Sequence, residues 1–335
     1  PVPWASRGGV LPRGLGRSYG DSCLAHGGTL VDVTPCARLL ALDTATGAIR
    51  AMVGGGGLRS DVAAGEINMT LVPRQTGSAT KAFILATGYQ AGVQSNDDIN
   101  GMRPCTVPDF RDGRQTTKTV NSGYGVIGDI GRRNTWNSSD CGFVRLSYAI
   151  GLHRVVDSVY RLAHSPYFYQ GQPADEHESF LPLGLTATGN NAMSAMDMAA
   201  GMQTITNQGL HRDPYYVEYI EGLEGVRIYT HEDPGTQVLD VGVANATVAT
   251  LKGVIRSGTG ARNLRDFPIP AAGKTATQHE HTRQPSLIAA RRPLVPAPGV
   301  GHPGRSRAPV PIRLSPLSGA PVGWPTPAPR PGAPR

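Results

Sequence analysis

Two short segments near the start of the chain alternate hydrophobic and polar positions. The segments RLLALD, from Arg38, and AIRAMV, from Ala48, lie on either side of a Thr-Gly pair, and glycines follow the second segment. Alternation with a period of two residues is typical of a half-buried strand, and a Thr-Gly pair is a common turn sequence. The pattern therefore predicts a β-hairpin.

Later segments carry apolar residues at helical spacing. The apolar run over roughly 78–90, ended by Gly92, predicts a first helix, and two more are predicted by GFVRLSYAIG, after Cys141, and by LHRVVDSVYRLAHS. AMSAMDMAAGMQTITNQG, from Ala192, predicts another. Its four methionines, at positions 193, 196, 198 and 202, have the spacing of residues that pack in a core.

The remaining segments have weaker periodicity. Residues 93–135 are rich in Gly, Asn, Asp, Arg and Pro and are predicted to form surface loop. Short residues around Lys274, in FPIPAAGKTATQ, predict a strand. Half of the 28 prolines lie after residue 280, in a stretch with few aromatic residues. Such a stretch buries too little apolar surface to offset its ordering entropy, so residues 285–335 are predicted to be disordered.

The positive charge of the chain is confined to the same stretch. The formal net charge is +7, but eight of the 32 basic residues and none of the 25 acidic ones lie after residue 280, so residues 1–280 have a net charge of −1. This distribution argues against nucleic-acid binding by the folded part. No run of 18 apolar residues predicts a membrane span, and PVPWASRGG is not a signal peptide. We expect membrane association only through a segment upstream of this sequence.

The cysteines and histidines do not predict a metal site. Cys23 and Cys36 are interpreted as buried or free thiols, and no pair has metal-ligand spacing. Cys105 and Cys141 are able to pair if the domain lies outside the cytoplasm. The histidines at 279 and 281 give no support for zinc, and we expect no metal and no cofactor.

A serine three residues before a lysine stands at the start of the first predicted helix, in RQTGSATKAFILA. Positions i and i+3 of a helix lie on one face, so Lys81 can reach the hydroxyl of Ser78. A lysine whose pKa is lowered can take the proton of a serine and make it a nucleophile, and the helix start favours an oxyanion. The alternative is an N-cap serine followed by a solvated lysine.

Two further motifs follow in order. Ser138 and Asp140 precede a predicted helix, in NSSDCGFVRLSYAIG, and Lys274 and Thr275 lie on the predicted strand, in AAGKTATQ. The order SxxK, SxN, KTG is that of penicillin-recognising serine enzymes. With TATGAIRAMVGG and LGLTATGNNAMSAMDMAAGMQTITNQG, these blocks resemble the transpeptidase domain of penicillin-binding proteins, of the bifunctional, actinobacterial type, over about residues 38–280.

The resemblance implies a fold and an activity. The fold is of the α/β (α+β) class, with helices on both faces of an antiparallel sheet. The activity is DD-transpeptidation of peptidoglycan stem peptides through an acyl-serine, at the extracytoplasmic face of the cell membrane, with β-lactams acylating the same serine. The resemblance assigns the transpeptidase-like domain to residues 36–284.

The resemblance also assigns roles to residues. Ser78 is the expected nucleophile, Lys81 its general base, and Ser138 the relay of a proton to the leaving group. Lys274 is expected to hold Ser138 and to keep Lys81 neutral by charge repulsion. The expected substrate-binding residues are Asp140, Thr275 and, through its backbone N–H, Thr277; the N–H of Ser78 would complete the oxyanion hole.

Three departures from the family pattern qualify this expectation. Asp140 replaces an asparagine, so it only accepts hydrogen bonds and raises the pKa of Lys81; its alternative role is to cap the following helix. Ala276 replaces the glycine of KTG, and its methyl group is able to obstruct the acyl donor. After residue 282 no strand pattern remains, so the sheet is expected to be C-terminally truncated, with its catalytic strand at an unprotected edge.

The first 35 residues resemble a different family. LPRGLGRSYGDSCLAHGGTLVDVT is similar to the pyrophosphate loop of FAD-linked sugar oxidases of the decaprenyl-phosphoryl-ribose oxidase type. Gly14, Gly16, Ser18 and Gly20 would contact phosphate oxygens, and residues 1–35 are interpreted as a fragment of such a domain. Three functions therefore stay open: an active or impaired transpeptidase, a non-catalytic penicillin-binding module, and a fragment of a flavoenzyme.

Overall fold

The structure is a computed structural model. It describes residues 10–13, 29–32, 38–54, 68–111, 114–164, 181–266, 270–278, 284–290 and 294–299. Several predictions fall outside these ranges: the phosphate contacts of Gly14, Gly16, Ser18 and Gly20, the thiols of Cys23 and Cys36, and the histidines at 279 and 281.

The described residues form short strands and six α-helices. The strands are β1 (Val10–Arg13), β2 (Thr29–Asp32), β3 (Arg38–Asp43), β4 (Ile49–Val53), β5 (Arg74–Gln75), β6 (Asp98–Asn100), β7 (Cys105–Arg111), β8 (Arg114–Val120), β9 (Ile127–Asp129), β10 (Ala192–Met193), β11 (Leu210–His211), β12 (Tyr219–Glu221), β13 (Arg227–Thr230), β14 (Thr236–Gln237), β15 (Ala272–Gln278), β16 (Gln284–Ala290) and β17 (Leu294–Gly299). The helices are α1 (Lys81–Gln90), α2 (Asp140–Ile150), α3 (Leu152–Leu162), α4 (Ala195–Thr206), α5 (Val241–Arg256) and α6 (Ala261–Leu264). Short helical turns cover Gly77–Thr80, Ile130–Thr135 and Thr186–Thr188.

A five-stranded antiparallel sheet, in the order β15-β16-β17-β3-β4, organises the fold. The predicted hairpin is confirmed as β3 and β4. Its turn is closed by the Asp43 carboxylate, which accepts hydrogen bonds from the N–H groups of Ala45 and Thr46 at 3.0 and 3.1 Å. The predicted strand around Lys274 is confirmed as β15.

The prediction that no strand follows β15, and that residues 285–335 are disordered, was wrong for β16 and β17. All seven residues of β15 pair with β16, and β17 pairs with β3 over six residues. Pro296 and Pro298 are two residues apart, so their missing N–H groups face one edge of β17, leaving the other edge to β3.

The helices cover the sheet and form the main core. Helix α4 packs on β3, β16 and β17, α5 packs on β15, and α1 contacts α2, α3, α4 and α5. The four methionines of the α4 segment are buried, which confirms that they pack in the core. Helices α1 to α4 match the predicted segments, whereas α5 was not predicted.

Residues 93–135 were predicted to be loop, and this was wrong in part. The segment contains the pair β6–β9 and the hairpin β7–β8. Threonines face each other across β7 and β8, and polar strands of this kind lack the hydrophobic alternation on which the prediction rested. A disulfide joins Cys105, in β7, to Cys141, in α2, with Cα atoms 5.8 Å apart, as the sequence allowed.

None of the helices in the part of the chain that the structure describes is long and apolar enough to cross a membrane.

Candidate active site

Ser78 and Lys81 lie where the central helix begins. Ser78 is on the tight turn Gly77–Thr80, and Lys81 is the first residue of α1, so its Nζ lies 3.0 Å from Ser78 Oγ. Lys81 is fully buried, and Ser78 does not cap the helix. The alternative of an N-cap serine followed by a solvated lysine was therefore wrong.

The turn that carries Ser78 is held by a close backbone contact. Gly189 has a φ of +84°, and a Cβ added there would lie 2.1 Å from the backbone nitrogen of Gly77. Only glycine combines this dihedral angle with such an approach. The segment after Thr186–Thr188 therefore packs directly against the turn of the serine.

Ser138 lies between two lysine side chains. Its backbone adopts a φ of +57° just before α2. Lys274 Nζ donates to Ser138 Oγ at 2.8 Å, and Lys81 Nζ lies 2.9 Å from the carbonyl oxygen and 3.4 Å from Oγ of the same serine. One hydroxyl thus links the two amines that the sequence motifs placed 193 residues apart.

Ser139 is the N-cap of α2, and this corrects the capping role considered for Asp140. The hydroxyl of Ser139 accepts a hydrogen bond from the N–H of Gly142 at 3.2 Å and donates to the carbonyl oxygen of Gly101 at 3.3 Å. Asp140 is the first residue of the helix, and its carboxylate is directed at other groups.

The carboxylate of Asp140 is bound through both oxygens. Lys81 Nζ lies 2.5 Å from Oδ1, and Ser122 donates from Oγ to Oδ2 at 2.5 Å. Asp140 is the only carboxylate bonded to these catalytic candidates among the described residues.

Burial and charge act in opposite directions on this cluster. Burial lowers the pKa of Lys81, the charge of Asp140 raises it, and the net direction is downward. Burial and the charge of Lys81 together hold the pKa of Lys274 well below its ordinary value, although Asp140 opposes the shift. Burial would raise the pKa of Asp140, but Lys81, Ser122 and Lys274 outweigh that effect and lower it. Asp140 therefore acts on Lys81 in the expected direction.

Strand β15 forms one wall of the site with its open edge. Lys274 Nζ donates to the carbonyl oxygen of Thr275 at 3.0 Å, so this carbonyl faces the site. Backbone groups of residues two apart in a strand point to the same edge, which directs the N–H of Thr277 to the site as well. Thr277 is paired with Pro285 of β16, which has no N–H to donate to Thr277. The hydroxyl of Thr275 is 2.6 Å from that of Thr259.

The obstruction expected from Ala276 is not present. This residue is 4% exposed and its methyl group lies in the main hydrophobic core. Successive side chains of a strand point to opposite faces. Ala276 therefore shares the buried face with Lys274, while Thr275 lies on the other.

The sequence pointed to the candidate residues of the site but not to the residues that contact and position them. Four supporting residues were assigned no role: Ser122, Ser139, Gly189 and Thr259. A glycine before an asparagine pair, in ATGNN, was the only signal at Gly189. Ser122 lies in a polar stretch without periodicity, so no local pattern could have paired it with Asp140.

The chain is similar in sequence to known proteins of one family. The family model of the penicillin binding protein transpeptidase domain matches residues 38–287. Penicillin-binding protein 4 of Bacillus subtilis (strain 168) is 22% identical over 211 residues, covering 62% of this chain and 31% of the relative. Penicillin-binding protein 1A of Neisseria lactamica is 26% identical over 253 residues, covering 72% of this chain and 29% of that relative. The chain thus spans less than a third of the length of these relatives.

Solved structures share the fold. The D,D-transpeptidase domain of a peptidoglycan glycosyltransferase from Eggerthella lenta superposes with a TM-score of 0.66 at 18% identity, covering 82% of this chain and 79% of that one. PonA1 from Mycobacterium tuberculosis, in complex with penicillin V, superposes with a TM-score of 0.61 at 19% identity. The match covers 78% of this chain and 67% of that one. The matched family model spans most of the chain, and the protein belongs to the penicillin-binding protein transpeptidase domain family.

Proposed function

We propose that this domain is a serine DD-transpeptidase that cross-links peptidoglycan stem peptides through an acyl-enzyme on Ser78. The observation that carries the proposal is the position of Lys81 Nζ, 3.0 Å from Ser78 Oγ and connected through Ser138 to Lys274. A nucleophile, a buried amine and a proton relay are the parts that acyl transfer requires.

The contacts of Lys81 suit a general base. The carbonyl oxygen of Ser138 and the carboxylate of Asp140 only accept hydrogen bonds, so they take up two N–H groups of the lysine. In the neutral amine, the remaining lone pair is directed at Ser78 Oγ. Ser78 would transfer its proton there as Oγ attacks the carbonyl carbon of the penultimate D-Ala.

Ser138 would carry the proton onward to the leaving group. Its Oγ is 3.4 Å from Lys81 Nζ and 2.8 Å from Lys274 Nζ. The proton gained by Lys81 would pass through this hydroxyl to the nitrogen of terminal D-Ala as the amide bond breaks. In the second half, an amine of a neighbouring stem peptide would attack the ester, lose its proton along the reverse path, and release Ser78.

Strand β15 would bind the donor peptide. The hydroxyl of Thr275, oriented by Thr259, would donate to the terminal carboxylate. The N–H groups of Ser78 and Thr277 would stabilise the oxyanion, the first at the start of a helix and the second on the open strand edge. β-Lactams, which solved structures of the fold contain as penicillin V or as acyl-enzyme complexes, would acylate the same serine.

The ion pair of Lys81 with Asp140 favours a second candidate, a penicillin-binding module that acylates slowly or not at all. An ionised carboxylate 2.5 Å from Nζ stabilises the ammonium form, which has no lone pair for the serine proton. This module would have the same fold and the same ligands, and it would differ from an active transpeptidase in the rate at which Ser78 is acylated.

The sequence blocks also support a wider proposal about the parent protein. We infer that the domain is the transpeptidase half of a longer, bifunctional protein of actinobacterial type, at the extracytoplasmic face of the membrane and attached there by an upstream segment. The pairing of Cys105 with Cys141 is consistent with an oxidising compartment.

A peptide assay tests the activity. The purified chain would be incubated with a stem pentapeptide ending in D-Ala-D-Ala and an acceptor amine, and released D-Ala would be measured. The proposal expects release by the parent and none by Ser78→Ala. Equal release by both would contradict it, and no release from a parent that still forms a penicillin adduct on Ser78 would favour the second candidate.

A further inference from the structure

A second cluster of polar side chains lies apart from Ser78, where α3, α4 and β11 come together. It consists of His164, just after α3, His211 at the end of β11, and Asp213. Their ligand atoms all lie within 4.8 Å of one another. The hydrogen bonds described for this cluster include none to the residues around Ser78.

The distances between these atoms are those of metal ligands. Asp213 Oδ1 is 3.3 Å from His164 Nδ1 and 3.2 Å from His211 Nε2. Two ligands that bind one zinc ion tetrahedrally at 2.0–2.1 Å are about 3.3–3.4 Å apart. The two imidazole rings are perpendicular, with centroids 5.9 Å apart, so neither ring is stacked on the other.

A hydroxyl group lies behind the ring of His211. Thr204 Oγ1 is 2.7 Å from His211 Nδ1 and is also within hydrogen-bond distance of the carbonyl oxygens of Leu162, at 2.7 Å, and Ala200, at 3.0 Å. When this hydroxyl donates to either carbonyl, it accepts from Nδ1–H, which leaves the ring lone pair on Nε2, the nitrogen that lies beside Asp213. Metal-ligating histidines characteristically donate their other ring N–H in this way.

The three groups differ in their exposure to solvent. His211 is 6% exposed at its side chain, whereas His164 and Asp213 are 56% and 52% exposed. The site thus has one ligand fixed in the interior and two at the surface, where an ion can enter and keep a water ligand.

We propose that His164, His211 and Asp213 bind one divalent transition-metal ion of the zinc class. Two imidazoles and a carboxylate suit zinc or cobalt, and oxygen-seeking calcium and magnesium are disfavoured. The ion connects the end of α3 with β11, and its effect is on the stability of this region rather than on acyl transfer.

Metal titration tests the proposal. The full 335-residue chain, prepared without a histidine tag and stripped with a chelator, is titrated with Co²⁺, followed by displacement with Zn²⁺. The parent is expected to give the visible absorption of low-symmetry Co²⁺ at one equivalent and a higher Tm with Zn²⁺. His153→Gln, an exposed histidine on α3, is the matched control and is expected to behave as the parent.

Three variants separate a built site from adventitious binding. Asp213→Asn and His164→Gln, at exposed positions, are expected to lose the absorption and the Tm shift while keeping the far-UV circular dichroism of the parent. Thr204→Val is expected to weaken Co²⁺ binding about 10–100-fold. No cobalt spectrum from the parent, or equal spectra from parent, Asp213→Asn and His164→Gln, would overturn the proposal and leave the cluster as a histidine–carboxylate ion pair.

Discussion

Nζ of Lys81 and Oδ1 of Asp140 are 2.5 Å apart, with the lysine fully buried at the start of α1. The family pattern has asparagine at position 140, and the carboxylate alters the charge of the cluster. Two buried lysines now share one negative charge. The pKa of Lys274 is held well below its ordinary value, and that of Lys81 is pulled in both directions. The ion pair therefore opposes the fall in the pKa of Lys81 that burial causes.

Replacing the carboxylate is expected to speed acylation. In Asp140→Asn the charge that raises the pKa of Lys81 is removed, so a larger fraction of the amine is neutral at pH 7. While the lysine is mostly protonated, each unit by which this pKa falls increases the neutral fraction of Lys81 about tenfold. Rates of β-lactam acylation at pH 7 are expected to rise in proportion to this neutral fraction, and the rising limb of the pH profile is expected to move to lower pH. Asp157→Asn, on α3 away from the cluster, is the control; a slower Asp140→Asn enzyme with an unmoved profile would contradict the account.

Removing the Thr275 hydroxyl is expected to weaken donor binding. Hydrogen bonds to charged groups contribute about 1.5–3 kcal/mol, so Thr275→Val should lower the second-order acylation constant about tenfold to a hundredfold. Thr259→Val, which removes only the hydroxyl that orients Thr275 at 2.6 Å, should cause a smaller loss. Stopped-flow measurements with a chromogenic cephalosporin compare the two. A larger effect of Thr259→Val would contradict the assignment of Thr275 to the carboxylate.

The contact of Gly189 with the turn of Ser78 predicts a large effect from one methyl group. Gly189→Ala meets both the cost of a positive φ, about 1–2 kcal/mol, and a clash with the backbone of Gly77. Gly225→Ala, at φ +74° with no atom within 4 Å of the added Cβ, is a matched control for the φ cost alone. Urea unfolding should show a larger loss for Gly189→Ala, together with slower acylation. Equal stability losses and normal acylation would mean that the contact does not hold the turn.

The disulfide between Cys105 and Cys141 is expected to stabilise the domain. The two residues are 36 apart in the chain, and closing such a loop stabilises by about 3–4 kcal/mol through the entropy of the unfolded chain. Reduction, or the double substitution to serine, should lower the Tm, and the hairpin β7–β8 should exchange amide hydrogens faster. Peptide mapping without reductant should recover the two cysteines in one linked peptide. Separate peptides from protein kept under oxidising conditions would contradict the pairing.

Local patterns predicted the parts of the fold that rest on periodicity. The hairpin β3–β4, the helices α1 to α4 and the strand of Lys274 follow from spacings of two or of three to four residues, and the buried methionines of α4 follow from the same rule. The strands β16 and β17 were not predicted, because the disorder prediction rested on the average composition of 51 residues. Six residues such as LVPAPG can pair with β3 although their neighbours are rich in proline and arginine.

The candidate site divides in a similar way. Ser78 and Lys81 share one helical turn, so their approach could be predicted from spacing alone. Ser138, Lys274 and Thr275 were identified only because the motifs occur in a known order. The contact of Ser122 with Asp140 and that of Gly189 with Gly77 depend on how distant loops pack, and local sequence patterns do not show which segments will meet.

The measurement that tests the central claim most directly is covalent labelling with a fluorescent penicillin. The parent, Ser78→Ala and Ser139→Ala would be labelled at pH 7 and pH 9, and the adduct located by peptide mass spectrometry. The account predicts an adduct on Ser78, stronger at pH 9 because Lys81 loses its proton as the pH rises, and none in Ser78→Ala. Ser139→Ala, which loses the cap of α2 and the hydrogen bond to Gly101, is expected to retain labelling. Folded parent protein that takes no label at either pH, or a label that persists in Ser78→Ala, would contradict it.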